Sequence, residues 1–118
     1  MDQKAFYEAK LAYEIDAYDL NAKRENGDKV FVLDARSHEA FTEEHIPGAI
    51  SLPHRKMSKA TTAQIDRNAL IVTYCDGIGC NASTKGALRM LGLGFIVREL
   101  QVGFVWWKQD GYPTVAGS

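Results

Sequence analysis

The sequence predicts an α/β protein, a mainly parallel five-stranded sheet covered by helices on both faces. Three observations carry this. Short apolar runs such as Val30–Leu33, Ala69–Tyr74 and Phe95–Val97 are too brief for buried helices and lack the alternation of a half-exposed strand. Helix-compatible stretches separate them, as a parallel sheet requires of its crossovers. Glycine, proline and Asx punctuation falls at the junctions.

The elements follow in order. Residues 2–13 mix Ala, Glu, Lys and aromatics and suit an amphipathic helix, with Phe6, Tyr7, Leu11 and Tyr13 on or near one side. A short strand is expected at 14–17. Asp16 then caps a helix to about Glu25, which Asn26-Gly27-Asp28 ends. Val30-Phe31-Val32-Leu33 reads as a buried strand, and Ser37 caps a short helix from His38 to about Glu44. His45-Ile46-Pro47-Gly48 breaks that helix before a third strand at 49–52, which stops at Pro53. Residues 54–68 are polar, with a helix expected near 58–66. Ala69–Tyr74 is the strongest strand. A helix capped by Asn81 or Ser83 runs through about Leu91, and Gly92 and Gly94 end it. A fifth strand at 95–98 and a short helix at 103–108 complete the pattern, closed by Asp110-Gly111-Tyr112-Pro113.

The chain has 118 residues, expected to form one domain, 1–118, with 1–13 as a helical extension. Hydrophobic residues make up 46% and charged residues 25%, a globular balance. Fourteen basic and fifteen acidic side chains give a net charge of -1, which argues against nucleic acid or a membrane surface as partner. The first ten residues lack the basic-then-apolar order of a secretory signal, and a cytoplasmic location is expected. The two cysteines, Cys75 and Cys80, are too few for a disulfide scaffold. With four residues between them and no second ligand pair, they do not form a zinc site.

Both cysteines fall in one turn, Tyr74-Cys75-Asp76-Gly77-Ile78-Gly79-Cys80-Asn81. Cys75 follows a buried strand and precedes a helix, so its thiol belongs at the carboxyl edge of the sheet, where ligands bind in such folds. Glycines let the backbone curl its N–H groups toward one point, and the helix start adds partial positive charge. Such a cradle lowers a thiol's pKa and suits attack on sulfur, phosphorus or arsenic. Local pattern alone leaves a second reading open, a core cysteine beside an ordinary strand-to-helix turn. Gly77 and Gly79 do not complete a dinucleotide fingerprint.

Three ordered motifs settle the preference. Leu33-Asp34-Ala35-Arg36 precedes His45-Ile46-Pro47-Gly48-Ala49-Ile50; Tyr74-Cys75 opens the loop; Gly103-Phe104-Val105-Trp106-Trp107 precedes Gly111-Tyr112-Pro113. Together, over nearly the whole chain, they resemble the single-domain rhodanese-like family, and the three-layer fold of that family matches the pattern above. The resemblance implies a sulfurtransferase. Cys75 would be the nucleophile, taking a sulfane sulfur from thiosulfate or a persulfide and passing it to a thiophilic acceptor. The backbone N–H groups of Asp76, Gly77, Ile78, Gly79, Cys80 and Asn81 would hold the persulfide's charge. The expected partners are small sulfur donors and acceptors or a sulfur-relay protein, with no metal or organic cofactor.

The loop departs from many members in carrying Asp76 and no Lys or Arg, although some relatives share a Gly-x-Gly-Cys-Asn loop. A carboxylate turned into the cradle would oppose a dianion such as thiosulfate and favour a neutral persulfide or a protein-borne sulfur. Cys80 has two readings. It resolves a sulfenate or persulfide as an intraloop disulfide with release of hydrosulfide, or it packs beneath the loop as a small apolar residue; packing is the preferred expectation.

Arg36 is a candidate substrate-binding residue at the mouth, against a favoured structural role paired to a carboxylate such as Glu43. Asp34 is expected to anchor a loop, and His45 to hold the Ile46-Pro47-Gly48 turn through its ring nitrogens. Of Trp106 and Trp107, one should be core and the other free to rim the cleft; Phe104 should be core. Lys85 and Arg89 share a helical face, expected to be a solvated one. A phosphatase or arsenate reductase would want an arginine closing the loop, and position 81 is Asn. A non-catalytic rhodanese-like binding module is the remaining alternative.

Overall fold

A computed structural model describes all 118 residues. Five parallel strands lie in the order β1-β5-β4-β2-β3: β1 Glu14–Ile15, β2 Val30–Asp34, β3 Ile50–Ser51, β4 Leu70–Tyr74 and β5 Ile96–Leu100. Five helices accompany them, of which α2, α3 and α4 lie between strands: α1 Gln3–Tyr13, α2 Ala17–Glu25, α3 His38–Glu43, α4 Ala82–Gly92 and α5 Phe104–Gln109.

Strand alternation divides the core. Val32 of β2 with Val72 and Tyr74 of β4 joins Leu20, Ile46, Phe104 and Trp107 on one face. Leu33 and Ile71, one residue out of phase, join Met57, Ile65, Met90 and Phe95 on the other. A period of two sends neighbours to opposite sides, so a continuous apolar run feeds both cores. Removing a side chain such as the fully buried Trp107 costs about 3–5 kcal/mol.

The caps largely follow the sequence. Asp16 accepts from the Asp19 N–H at 2.7 Å and Ser37 from the Ala40 N–H at 3.2 Å. Neither candidate caps α4. Asn81 occupies the N-cap position without a side-chain hydrogen bond, and the Ser83 hydroxyl instead donates to Glu99.

The helix expected near 58–66 is absent; a 3₁₀ turn at His54–Lys56 and a run of turns occupy the segment. Its own hydroxyls explain this. Thr61 Oγ1 accepts from the Ser58 N–H, Ser58 Oγ accepts from the Thr61 N–H, and Thr61 Oγ1 donates to the Lys56 carbonyl. Such local bonds satisfy the backbone in non-helical conformations. Helix α1 buries no residue: Phe6, Tyr7, Leu11 and Tyr13 stay exposed while it lies along β1 and β5. No helix is long and apolar enough to cross a membrane.

Candidate active site at the Cys75 loop

Strand β4 lies between β5 and β2, and Cys75 follows its last residue at the carboxyl edge. Cys75 is 2% exposed. Its carbonyl accepts from the Phe104 N–H at 2.8 Å, and that of Asp76 from the Val105 N–H at 2.8 Å. The start of α5 therefore grips the loop backbone. The approach is so close that a Cβ on Gly103 would lie 2.5 Å from the Cys75 oxygen. Gly103 also has φ 81° and ψ -158°, a conformation essentially restricted to glycine.

The loop then curls. Gly79 takes φ 90°, and the Cys80 N–H donates to the Gly77 carbonyl at 3.1 Å. This removes Cys80 from the expected set of cradle donors. The N–H groups of Asp76, Gly77, Ile78, Gly79 and Asn81 donate to no protein group. Beside them opens a cavity of about 480 Å³, lined by Cys75, Cys80, Gly77, Ile78 and Gly79 from the loop and by Gly103 from the segment packed on it. Cys80 does not pack away beneath the loop. It is disulfide-bonded to Cys75, with Cα atoms 6.3 Å apart, because the curl returns the chain to its own starting point.

The Asp76 carboxylate pairs with Arg36 Nη1 at 3.1 Å, and Asp76 does not line the cavity. The acidity read from the loop is thus answered by a cation from β2's end. Arg36 lies outside the cavity lining as well. Its Nε and Nη2 donate to the fully buried Asp34 carboxylate, at 3.0 and 2.7 Å, and Nη2 also donates to the Glu44 carbonyl. Glu43 is not its partner; Asp34 and Asp76 are. The guanidinium lies 4.6 Å from the Phe104 ring centroid. Burial opposes its charge, but the bonds to Asp34 and Asp76 outweigh this and raise its pKa above the ordinary value.

Asp34 also accepts from the Arg36 N–H at 2.9 Å and from the Tyr74 hydroxyl at 2.8 Å. Burial and the Asp34 charge push that phenol upward in pKa. Tyr74 in turn accepts from the Ile46 N–H, so the turn at 46–48 is held by a tyrosine. His45 instead directs Nδ1 to the Phe41 carbonyl at 2.7 Å and stacks on the Phe41 ring. Trp107 is core and donates Nε1–H to the Pro113 carbonyl; Trp106 is half exposed and does not reach the cavity. Phe104 is core. Lys85 and Arg89 are exposed and without acidic partners; burial first, then the charges of Lys85, Arg55 and Arg89, hold the His54 pKa down.

The cavity's far wall was not legible from the loop. Glu99 of β5 accepts from the Ser83 and Thr84 hydroxyls at 2.6 and 2.7 Å, and Lys10 and Glu14 reach in from the amino-terminal segment. An acidic residue near the end of a predicted strand was the one available signal for Glu99. Lys10 lies on a helix whose docking site no local pattern specifies.

Fold, loop and buried Asp34–Arg36 pair together define a class, and comparison with known proteins names it. The rhodanese-like domain family profile matches residues 16–110, and the chain belongs to that family. The crystal structure of BH2092 protein from Bacillus halodurans superposes with a TM-score of 0.90 at 38% identity, covering 96% of this chain and 83% of that one. An HTH-type transcriptional regulator of Mycobacterium tuberculosis, Rv0324, is 31% identical over 85% of this chain and 43% of its own length. A protein named sulfurtransferase from Allochromatium vinosum is 24% identical over 90% of this chain and 97% of its own. The chain thus spans about half the length of the first curated relatives it matches. The family to which it belongs includes sulfurtransferases.

Proposed function

We propose that this domain is a sulfurtransferase that carries a sulfane sulfur as a persulfide on Cys75. The reading rests on one observation: five backbone N–H groups of the loop that Cys75 opens donate to no protein group, and that loop lines a cavity large enough for a small donor. In the reduced protein the Cys75 thiolate attacks the donor's sulfane sulfur. The Cys75 Sγ–S bond forms, the donor's S–S bond breaks, and the donor leaves as sulfite from thiosulfate or as a thiolate from a persulfide. The free N–H groups of the loop hold the outer sulfur's negative charge. An acceptor then removes that sulfur and restores the thiolate.

Pairing of Asp76 with Arg36 answers the loop's own carboxylate, while Glu14 and Glu99 line the cavity beside Lys10, so both thiosulfate and persulfides are tried as donors. The test is donor turnover by reduced protein, with cyanide and a dithiol present as acceptors. Sulfite release from thiosulfate, or glutathione release from glutathione persulfide, should fall to background in Cys75→Ser. Equal turnover by wild type and Cys75→Ser with every donor overturns the proposal.

A further inference from the structure

The loop holds a second thiol where it can reach the first. Cys75 and Cys80 are the only cysteines in the chain and are joined as a disulfide. Their Cα separation of 6.3 Å lies within the range of roughly 4.4–6.8 Å that disulfides span. Each is fixed by its own backbone bond, Cys75 through its carbonyl to the Phe104 N–H and Cys80 through its N–H to the Gly77 carbonyl. Both line the cavity in which a donor would be bound.

We propose that Cys80 is a resolving thiol that releases the bound sulfur as hydrosulfide, an inference that rests on persulfide formation at Cys75. The Cys80 sulfur attacks Cys75 Sγ. The bond from Sγ to the outer sulfur breaks, and that sulfur leaves with the Cys80 proton as hydrosulfide. The two cysteine sulfurs are oxidised to the disulfide, and the outgoing sulfur takes up the two electrons. A dithiol reductant, protein-borne or small, then attacks the disulfide, returns both thiols and is itself oxidised to a disulfide. One cycle converts a sulfane sulfur and a dithiol into hydrosulfide and a disulfide, with Cys80 acting before any external acceptor. Tethering favours this route, because the attacking sulfur is held beside its target instead of being gathered from solution.

The experiment is a single turnover of reduced, desalted protein under anaerobic conditions, with one equivalent of thiosulfate or glutathione persulfide and no acceptor. Donor product counts loading; trapped hydrosulfide counts resolution. Wild type should release about one hydrosulfide per loaded chain and end about 2 Da lighter than its reduced form, as the disulfide. Cys80→Ser and Cys80→Ala should load, release no hydrosulfide and keep an adduct of about 32 Da on Cys75. Wild type that loads and retains the adduct without hydrosulfide overturns the inference and leaves the sulfurtransferase reading standing. Hydrosulfide release from the Cys80 variants at the wild-type rate overturns it likewise. Failure of all three proteins to load overturns both.

Discussion

The guanidinium of Arg36 bridges two carboxylates, Asp34 of β2 and Asp76 of the cysteine loop, the latter at 3.1 Å. The bridge fixes the direction in which the loop's one acid points. It also sets how much that acid matters to the thiol.

Because Arg36 already balances it, the Asp76 charge has little left to impose on Cys75. In Asp76→Asn, alkylation of reduced Cys75 at pH 7 should quicken by less than about threefold, the scale of an exposed ion pair. A tenfold gain in iodoacetamide kinetics would mean that the carboxylate acts directly on the sulfur.

Removing the other side of the bridge is a different matter. Arg36→Met leaves the fully buried Asp34 carboxylate with only the Arg36 (now Met) N–H and the Tyr74 hydroxyl. A stranded buried charge costs about 3–5 kcal/mol, so urea unfolding should show a loss of that order.

Gly103→Ala should be among the most damaging single-methyl additions. The new Cβ meets the Cys75 carbonyl at 2.5 Å on a backbone that only glycine adopts comfortably. A loss of about 3 kcal/mol in urea unfolding is expected, with slower loading of Cys75 as its carbonyl is displaced.

Its neighbour predicts the reverse. Val102 is a β-branched residue at φ 63°, where asparagine is better tolerated, and its side chain is half exposed. Val102→Asn should stabilise the protein by about 1 kcal/mol in the same measurement.

Lys108 and Thr114 hold the Glu44 carboxyl below its ordinary value of 4.5 by hydrogen bonding. A folded-state pKa below the unfolded one adds stability above pH 4.5 that is lost as pH falls through the folded value. Lys108→Met should therefore be less stable than wild type near neutrality, and the two should converge in acid. Urea midpoints measured from pH 7 down to pH 3 would check this.

Local chemistry carried the sequence a long way. Short apolar runs such as Val30–Leu33, Ala69–Tyr74 and Phe95–Val97 and their punctuation implied the parallel sheet, and a glycine-rich turn after the strongest run placed Cys75 at the sheet's carboxyl edge. Where local reading failed, another local force had won, as at 58–66, where Ser58 and Thr61 hydroxyls satisfy the backbone outside a helix. Cys80 pairs with Cys75 instead of packing beneath the loop because its direction depends on the φ of Gly79, which the residue type permits but does not dictate.

The sequence by itself determined the succession of strands and helices along the chain and the position of the candidate nucleophile, since each follows from periodicity or a few adjacent residues. Only the tertiary structure decided that Asp76 turns to Arg36, 40 positions away, and that Lys10 and Glu99 wall the same cavity. It likewise decided that Tyr74 holds the turn assigned to His45. Those choices depend on which strands lie side by side. Strand order is set by packing across the whole chain, a sum of many weak burials that no short stretch of sequence records.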